Sequence, residues 1–571
     1  MIVDRMKIRL AMTGLGRYCI ILWITGMLLV ALSRPVIADS ENSVLFTDRT
    51  WALSGDTIWF RVSWTGDSNM MGNVLHVQLE NMENEVVTGV MVTIDHGRGS
   101  GYIPVPDSLA TGAYWLRGYS GFMRNGDSAT TLSRLITVFH RFDRDITSLQ
   151  VPDQILPVKT SVPEGLVNLH ILRSAWTPGD TVSFSVNLSE DASRSVRELT
   201  VSAFLDVPVP LDLASHYVTG LTPALNFEGV SFPPEKNGFL IEGVVKPRQG
   251  ETLPERSLVM LSISDSIPYF DYYVTDSRGY FQFMLSSAFG TAEIFVRAVA
   301  ANGQELFTDL TEGLMTGADK MPIQERLLNP DEMTSLNNML ESAWFERIFG
   351  GEVAWKDREF RMVHPFDQAF YGEPYQRVYP SEFFDLPDFM EISRELLPGV
   401  RFRQRDNHFV IHMLNLDERY YFENGPLRLI NGIPVFDNDL LYGFNSTDIH
   451  YIDIILQERV FGDISFKGIL AIYMNDGNEK WLQGQNNLGR YRIPCLQIPK
   501  AAGIYKTALS QGSDQLPDFR RVFLFESVNT TAGNKMFSFP SSDLKGTMVV
   551  RLEGVTNSNE PFEIIRKIEM K

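Results

Sequence analysis

The chain has 571 residues, too many for one sandwich or bundle, and a prior of roughly 150 residues per domain divides it into about four units. Apolar residues make up 44% and charged residues 21%, ordinary globular usage that excludes collagen, coiled coil and global disorder. With 51 basic against 70 acidic residues the net charge is -19, and a nucleic-acid partner is excluded because phosphate binding needs a dense Lys/Arg surface.

In chain order, Arg5, Lys7, Arg9 and Arg17 precede an apolar run from Cys19 to Leu32, short for a hydrocarbon core of about 30 Å. With Val36 and Ala38 at the small-residue positions before a cut, residues 1–38 read as a signal peptide and the mature chain starts near Asp39; an uncleaved anchor is the alternative. Cys19 opens the apolar run, so no lipoprotein attachment site is evident. Cleavage removes five of the 51 basic residues and one of the 70 acidic ones, deepening the charge from -19 to -23. It leaves Cys495 without an intrachain disulfide partner, so stability rests on packed cores.

From residue 39 to 148 short alternating strands follow one another. In Thr57 to Trp64 the even positions Ile58, Phe60, Val62 and Trp64 are apolar, the pattern of a strand with one buried face. Burying those four is worth about 6 to 12 kcal/mol, which a slip of one residue would forfeit. Further strands at Leu75–Leu79, Val90–Ile94, Ile103–Val105, Tyr114–Leu116 and Ile136–Val138 complete an antiparallel sandwich. A weak repeat then appears. Gly55-Asp56-Thr57-Ile58-Trp59-Phe60-Arg61-Val62 returns as Gly179-Asp180-Thr181-Val182-Ser183-Phe184-Ser185-Val186, each after a nearby Trp (Trp51, Trp176), which predicts a second sandwich over 160–235.

Residues 236–305 hold alternating strands around the turn Asp276-Ser277-Arg278-Gly279, a third sandwich. A partly helical connector follows over 306–382, with helix favoured from Met321 to Phe349. Residues 383–478 mix helix and strand: Phe389–Leu397 is helix-compatible and stops at Pro398-Gly399, whereas Leu427–Ile430 and Ile452–Leu456 are strand-like. The rest, 479–571, returns to strand. The fold class expected is mainly β, a multidomain array of antiparallel β-sandwiches with one α+β domain.

Trp51–Val62, Gly101-Tyr102-Ile103-Pro104-Val105-Pro106 and Thr111–Tyr119 resemble the macroglobulin-type sandwich of alpha-2-macroglobulin-like proteins. The form followed by Phe122-Met123-Arg124-Asn125 is similar to exported proteins of Bacteroidota, and residues 238–300 look like a carboxypeptidase-regulatory-like domain, a β-sandwich without peptidase chemistry. Leu397–Arg403, Pro426–Val435 with its Asn431-Gly432 turn, Thr447–Ile455 and Gly468–Tyr473 resemble, in that order, the plug domain of TonB-dependent outer-membrane receptors. Glu458–Asp463 departs from the Gly-Pro and Tyr-Gly stretch usual there. About ninety-five residues follow, too few for the roughly 20 tilted strands of a transporter barrel, so the resemblance implies a plug-like fold reused for binding or assembly.

Candidate chemistry is sparse. His408-Phe409-Val410-Ile411-His412 would put two imidazoles on one helical face, but its residues suit a strand, where positions four apart stand about 13 Å apart and cannot share a metal. Cys495 invites comparison with a macroglobulin thioester and lacks the Gly-Cys-Gly-Glu-Gln surroundings, so a plain thiol is expected. Gly118-Tyr119-Ser120-Gly121 lacks the spacing of a nucleophile elbow. No catalytic residue, cofactor or metal site is expected. Trp51, Trp59, Trp64, Trp115 and Trp176 suit either the packing of sandwich cores and edges, the commoner role of such residues, or stacking on sugar rings or peptide side chains; Trp59 and Trp115, on the faces opposite the apolar stripes, are the better candidates for surface contact. The sequence therefore points to a non-enzymatic exported protein, periplasmic or bound at the outer membrane, that contacts envelope or outer-membrane proteins, glycan or peptide. A macroglobulin-type protease trap is the alternative.

Overall fold

The computed structural model describes residues 43–64, 72–125, 132–152, 165–207, 232–247, 250–311, 323–349, 360–364, 367–383, 385–423, 425–475, 477–483, 485, 487–499, 503, 518–558 and 560–571. The expected signal peptide at 1–38 lies outside them. Among the described residues the chain is mainly β, a series of antiparallel sandwiches with one α+β unit, as its alternating patterns imply.

The first sandwich comprises β1 (Val44–Thr47), β2 (Trp51–Leu53), β3 (Thr57–Ser63), β4 (Val74–Glu80), β5 (Val86–Thr93), β6 (Arg98–Pro104), β7 (Gly112–Tyr119) and β8 (Leu132–Phe139). A three-stranded sheet, β1-β3-β6, faces a five-stranded sheet, β2-β8-β7-β4-β5, in which β2 and β8 are parallel. Ile58, Phe60 and Val62 of β3 enter the core between them, beside Leu75, Val77, Ile103, Leu116 and Ile136. The alternation read in the sequence thus sets the buried face.

After β9 (Ser148–Pro152), the second sandwich begins with β10 (Val167–Ile171), β11 (Ala175–Trp176), β12 (Thr181–Leu188) and β13 (Val196–Leu205). It closes only with strands Val522–Ser527, Gly533–Pro540, Gly546–Thr556 and Pro561–Met570. The sheets are β10-β12-(533–540) and β11-(561–570)-(546–556)-β13-(522–527), with β11 parallel to its neighbour. This is the order of the first sandwich, strand for strand. The turn chemistry is also duplicated: Asp56 accepts from the Leu53 N–H and Asp180 from the Thr177 N–H, with Gly55 and Gly179 at φ 84° and 82°.

The expected separation of 160–235 from 479–571 is therefore corrected. A strand edge left bare at β13 must be paired, and Val522–Ser527 pairs it across residues 206–521, which occupy the position of the short β4–β5 turn in the first sandwich. The two ends of that insertion meet where the Leu205 N–H donates to the Arg521 carbonyl at 2.7 Å.

Inside the insertion, strands Phe239–Lys246, Ser257–Ile263, Tyr269–Val274, Tyr280–Leu285, Thr291–Ala300 and Glu305–Thr311 form the third unit. Gly489–Pro494 joins its sheet along Thr291–Val296, so part of the expected C-terminal region belongs here as well. The fourth unit orders Gln376–Val378, Ile449–Ile455, Ile469–Met474, Leu427–Ile430 and Ile433–Pro434 in one sheet, with Leu427–Ile430 parallel to Ile469–Met474. Its helix Phe389–Leu396 starts at Asp388, whose carboxylate accepts from the Glu391 N–H. Asn431 and Gly432, at φ 48° and 81°, make the tight turn. In the connector, a strand at Ile323–Leu327 pairs β9 ahead of the helix Pro330–Phe349.

Candidate functional site

Charged side chains within otherwise apolar strands concentrate where the units meet. In Gly546–Thr556, Met548, Val550 and Leu552 fill the second core, so Arg551, Glu553 and Val555 face the other way, toward the first sandwich. There Arg134 on β8 donates to Glu553 at 2.7 Å, and Arg551 lies 3.2 Å from the other carboxylate oxygen. Arg134 also donates to the Leu45 carbonyl and Arg551 to the Thr47 carbonyl, fixing β1. All three side chains are almost wholly buried. Nearby, Arg49 bridges Asp48 and Asp56, and Arg521 of the returning chain lies 3.4 Å from Asp56. Burial works against the Asp56 charge, yet Arg521 and Arg49 hold its carboxyl below the ordinary range.

Trp59 belongs to the same junction. With Val44, Phe46 and Tyr102 it covers the outer face of the three-stranded sheet and packs on Phe525 and Val555 of the second sandwich. Trp115, with Trp51, Leu53 and Phe139, lies under β9 and the helix Pro330–Phe349, against Leu336, Met339 and Leu340. Each Trp is 4% exposed, so the expectation of two surface contacts is corrected. Both rings face away from their own sandwich core, and both meet other parts of the same chain.

The first and third units meet around Glu235. Its carboxylate bonds His76 Nε2 at 2.8 Å and accepts from the N–H groups of Gly121 and Leu240. Burial would raise this carboxyl, but His76 beside it and the two backbone donors hold it below the usual carboxylate range. Arg124 pairs with Glu242 at 2.7 Å and lies over the Phe232 ring, while Asn125 exchanges two hydrogen bonds with the Phe232 backbone. The Phe122-Met123-Arg124-Asn125 stretch thus anchors the third unit. Ser120 is buried, and its hydroxyl accepts from the Met123 N–H at the same turn.

Cys495 is buried, and burial pushes its thiol up to about 12. The next two residues bridge units: Leu496 pairs with both Met91 and Phe289, and the Gln497 amide bonds the N–H and C=O of Tyr102. In the fourth unit, the buried Asp453 takes two bonds from Arg377 and one from the Tyr371 hydroxyl, clamping the edge strand Gln376–Val378. His408 and His412 lie on the strand His408–Met413, as their neighbours imply; His408 bonds Asp439, and His412 reaches the Phe422 carbonyl.

The sequence reading missed Arg134, Arg551, Glu553, His76 and Glu235. An alternating signal was present for Arg551 and Glu553, charged residues inside a strand whose other face is apolar.

No family model matches this chain, and no curated protein is found similar to it. Among solved structures, it is similar to Salmonella alpha-2-macroglobulin reacted with methylamine, at 10% identity over 93% of this chain and 40% of that one, with a TM-score of 0.22. It is similar to Escherichia coli alpha-2-macroglobulin activated by porcine elastase at 9% identity over 93% and 44%, with a TM-score of 0.22. The Yersinia pseudotuberculosis adhesin InvE gives 14% identity over 47% and 58%, with a TM-score of 0.12. The chain spans less than half the length of the macroglobulins it matches. Overlap this low leaves the strand pairing as the basis for the fold.

Proposed function

We propose that the chain is a non-enzymatic scaffold of the cell envelope, exported by its N-terminal segment and held in the periplasm or at the outer membrane, where it binds protein, glycan or peptide partners. In this reading the two sandwiches are macroglobulin-like, the third unit is carboxypeptidase-regulatory-like, the fourth is a plug-like domain without a barrel, and the source is a Bacteroidota cell. One observation carries the proposal: three buried side-chain contacts between oppositely chargeable groups join units to one another. Arg134–Glu553, His76–Glu235 and Arg124–Glu242 each cross a junction. Groups engaged in this way hold neighbouring units in fixed relation, which suits the display of loops and strand edges.

Cell fractionation with a tagged chain tests the proposal. Recovery with outer-membrane proteins is the expected result, and cytosolic recovery would end it. Incubation with a protease separates the scaffold from a macroglobulin-type trap: a scaffold is degraded at scattered exposed sites, whereas one bait cut with retention of the enzyme would replace this reading by the other.

A further inference from the structure

The hairpin of Val400–Arg405 and His408–Met413 carries a charge pattern opposite to that of the whole chain. Its register pairs Arg401 with His412, Arg403 with Val410 and Arg405 with His408. Val400 and Phe402 turn inward, the latter against Phe389, and Arg401, Arg403 and Arg405 line the exposed face. Same-face residues on a strand repeat every 6.8 Å or so, making a row of three guanidinium groups about 13 Å long on a chain of net charge -19.

The row has little internal neutralisation. Arg401 lies over the Tyr421 ring, 3.7 Å from its centroid, which restrains it without removing charge. Arg405 approaches the exposed Asp406 at 3.8 Å. Asp439 is already engaged by the His408 ring at 2.9 Å and by the Phe409 N–H at 2.7 Å. His412 is oriented by the Phe422 carbonyl.

We infer that this face docks an extended acidic segment of a partner protein, one with carboxylates at alternate positions. The inference rests on the scaffold reading and names its partner chemistry. An extended peptide repeats its same-face side chains at the pitch of the arginine row, so a Glu-x-Glu-x-Glu stretch sets one carboxylate against each planar fork, in the two-bond geometry that guanidinium favours. A narrow row flanked by Asp406 and Asp439 suits a line of negative charge better than a charged plane such as an anionic bilayer.

Fluorescence anisotropy on the exported chain tests it with three probes: a labelled peptide alternating Glu and Thr, a peptide of the same composition with its glutamates in one block, and phosphatidylglycerol vesicles. The alternating peptide should bind best and be released by molar salt. Arg403→Glu should weaken it by about tenfold, the loss of one charge-assisted contact, while Arg566→Glu, an equal charge change on an exposed strand of the second sandwich, should leave it unchanged. Equal binding of the block peptide, preference for vesicles, no binding of any probe, or indifference to Arg403→Glu would each overturn the inference. Fractionation with outer-membrane proteins would survive any of these results, so the two readings fail separately.

Discussion

Glu553 shows most directly what a buried ionic side chain does here. It lies between Arg134 and Arg551, all nearly inaccessible, and removing one member of such a group leaves charge buried without compensation. Glu553→Gln should therefore cost about 3 to 5 kcal/mol, read as a lower urea midpoint; a loss under about 1 kcal/mol would show that the group is not needed. Cys495 makes a second residue-level case. With its thiol pushed up to about 12, a Cys19→Ser chain should resist a disulfide reagent at pH 8 while native and react at once in denaturant. The plain thiol was legible because the thioester surroundings are missing; its bridging neighbours were not, because Gln497 contacts Tyr102 across almost four hundred residues.

Among the elements, the local pattern set the strands but not their partners. Alternation placed Ile58, Phe60 and Val62 on one face of β3 and Trp59 on the other, and it carried no information about Phe525 and Val555, which cover Trp59. Trp59→Ala should cost about 3 to 5 kcal/mol and loosen the junction between sandwiches, measured as protease sensitivity near β1. The repeat beginning at Gly55 and Gly179 was readable because the same turn needs the same residues. Closure of the second sandwich by strands from 522 onward was not, since pairing of distant segments leaves no local period. The Glu235 junction adds a dependence on pH. Its depressed carboxyl contributes stability that is present above the ordinary glutamate value, about 4.3, and is lost as pH falls through the depressed one. Relative to the intrinsic exchange rate, which itself slows in acid, the protection of the Gly121 and Leu240 amides should fall on acidification, and Glu235→Gln should abolish that loss of protection.

Across the whole molecule, the two sandwiches stack in one direction. Val44, Phe46, Trp59 and Tyr102 form the contact face of the first. The register places Asn168, His170, Ser183 and Ser538 at the corresponding positions of the second. Four apolar or aromatic side chains are thus matched by four polar ones, and this end of the stack faces water. The opposite end, around Trp115, is closed by the helix Pro330–Phe349. Restoring the apolar set with Asn168→Val, His170→Phe, Ser183→Trp and Ser538→Tyr should make the protein self-associate with concentration, visible by sedimentation; a monomer at every concentration would show that the polar face does not limit stacking.

The split sandwich also bears on how the protein reaches its working state. A chain made from its N-terminus presents β10 to β13 long before residues 522–570 are synthesised, so half a hydrophobic core waits while more than three hundred residues follow. During that interval the edge of β13 is a docking invitation for any stray strand, and the region a holding chaperone would cover.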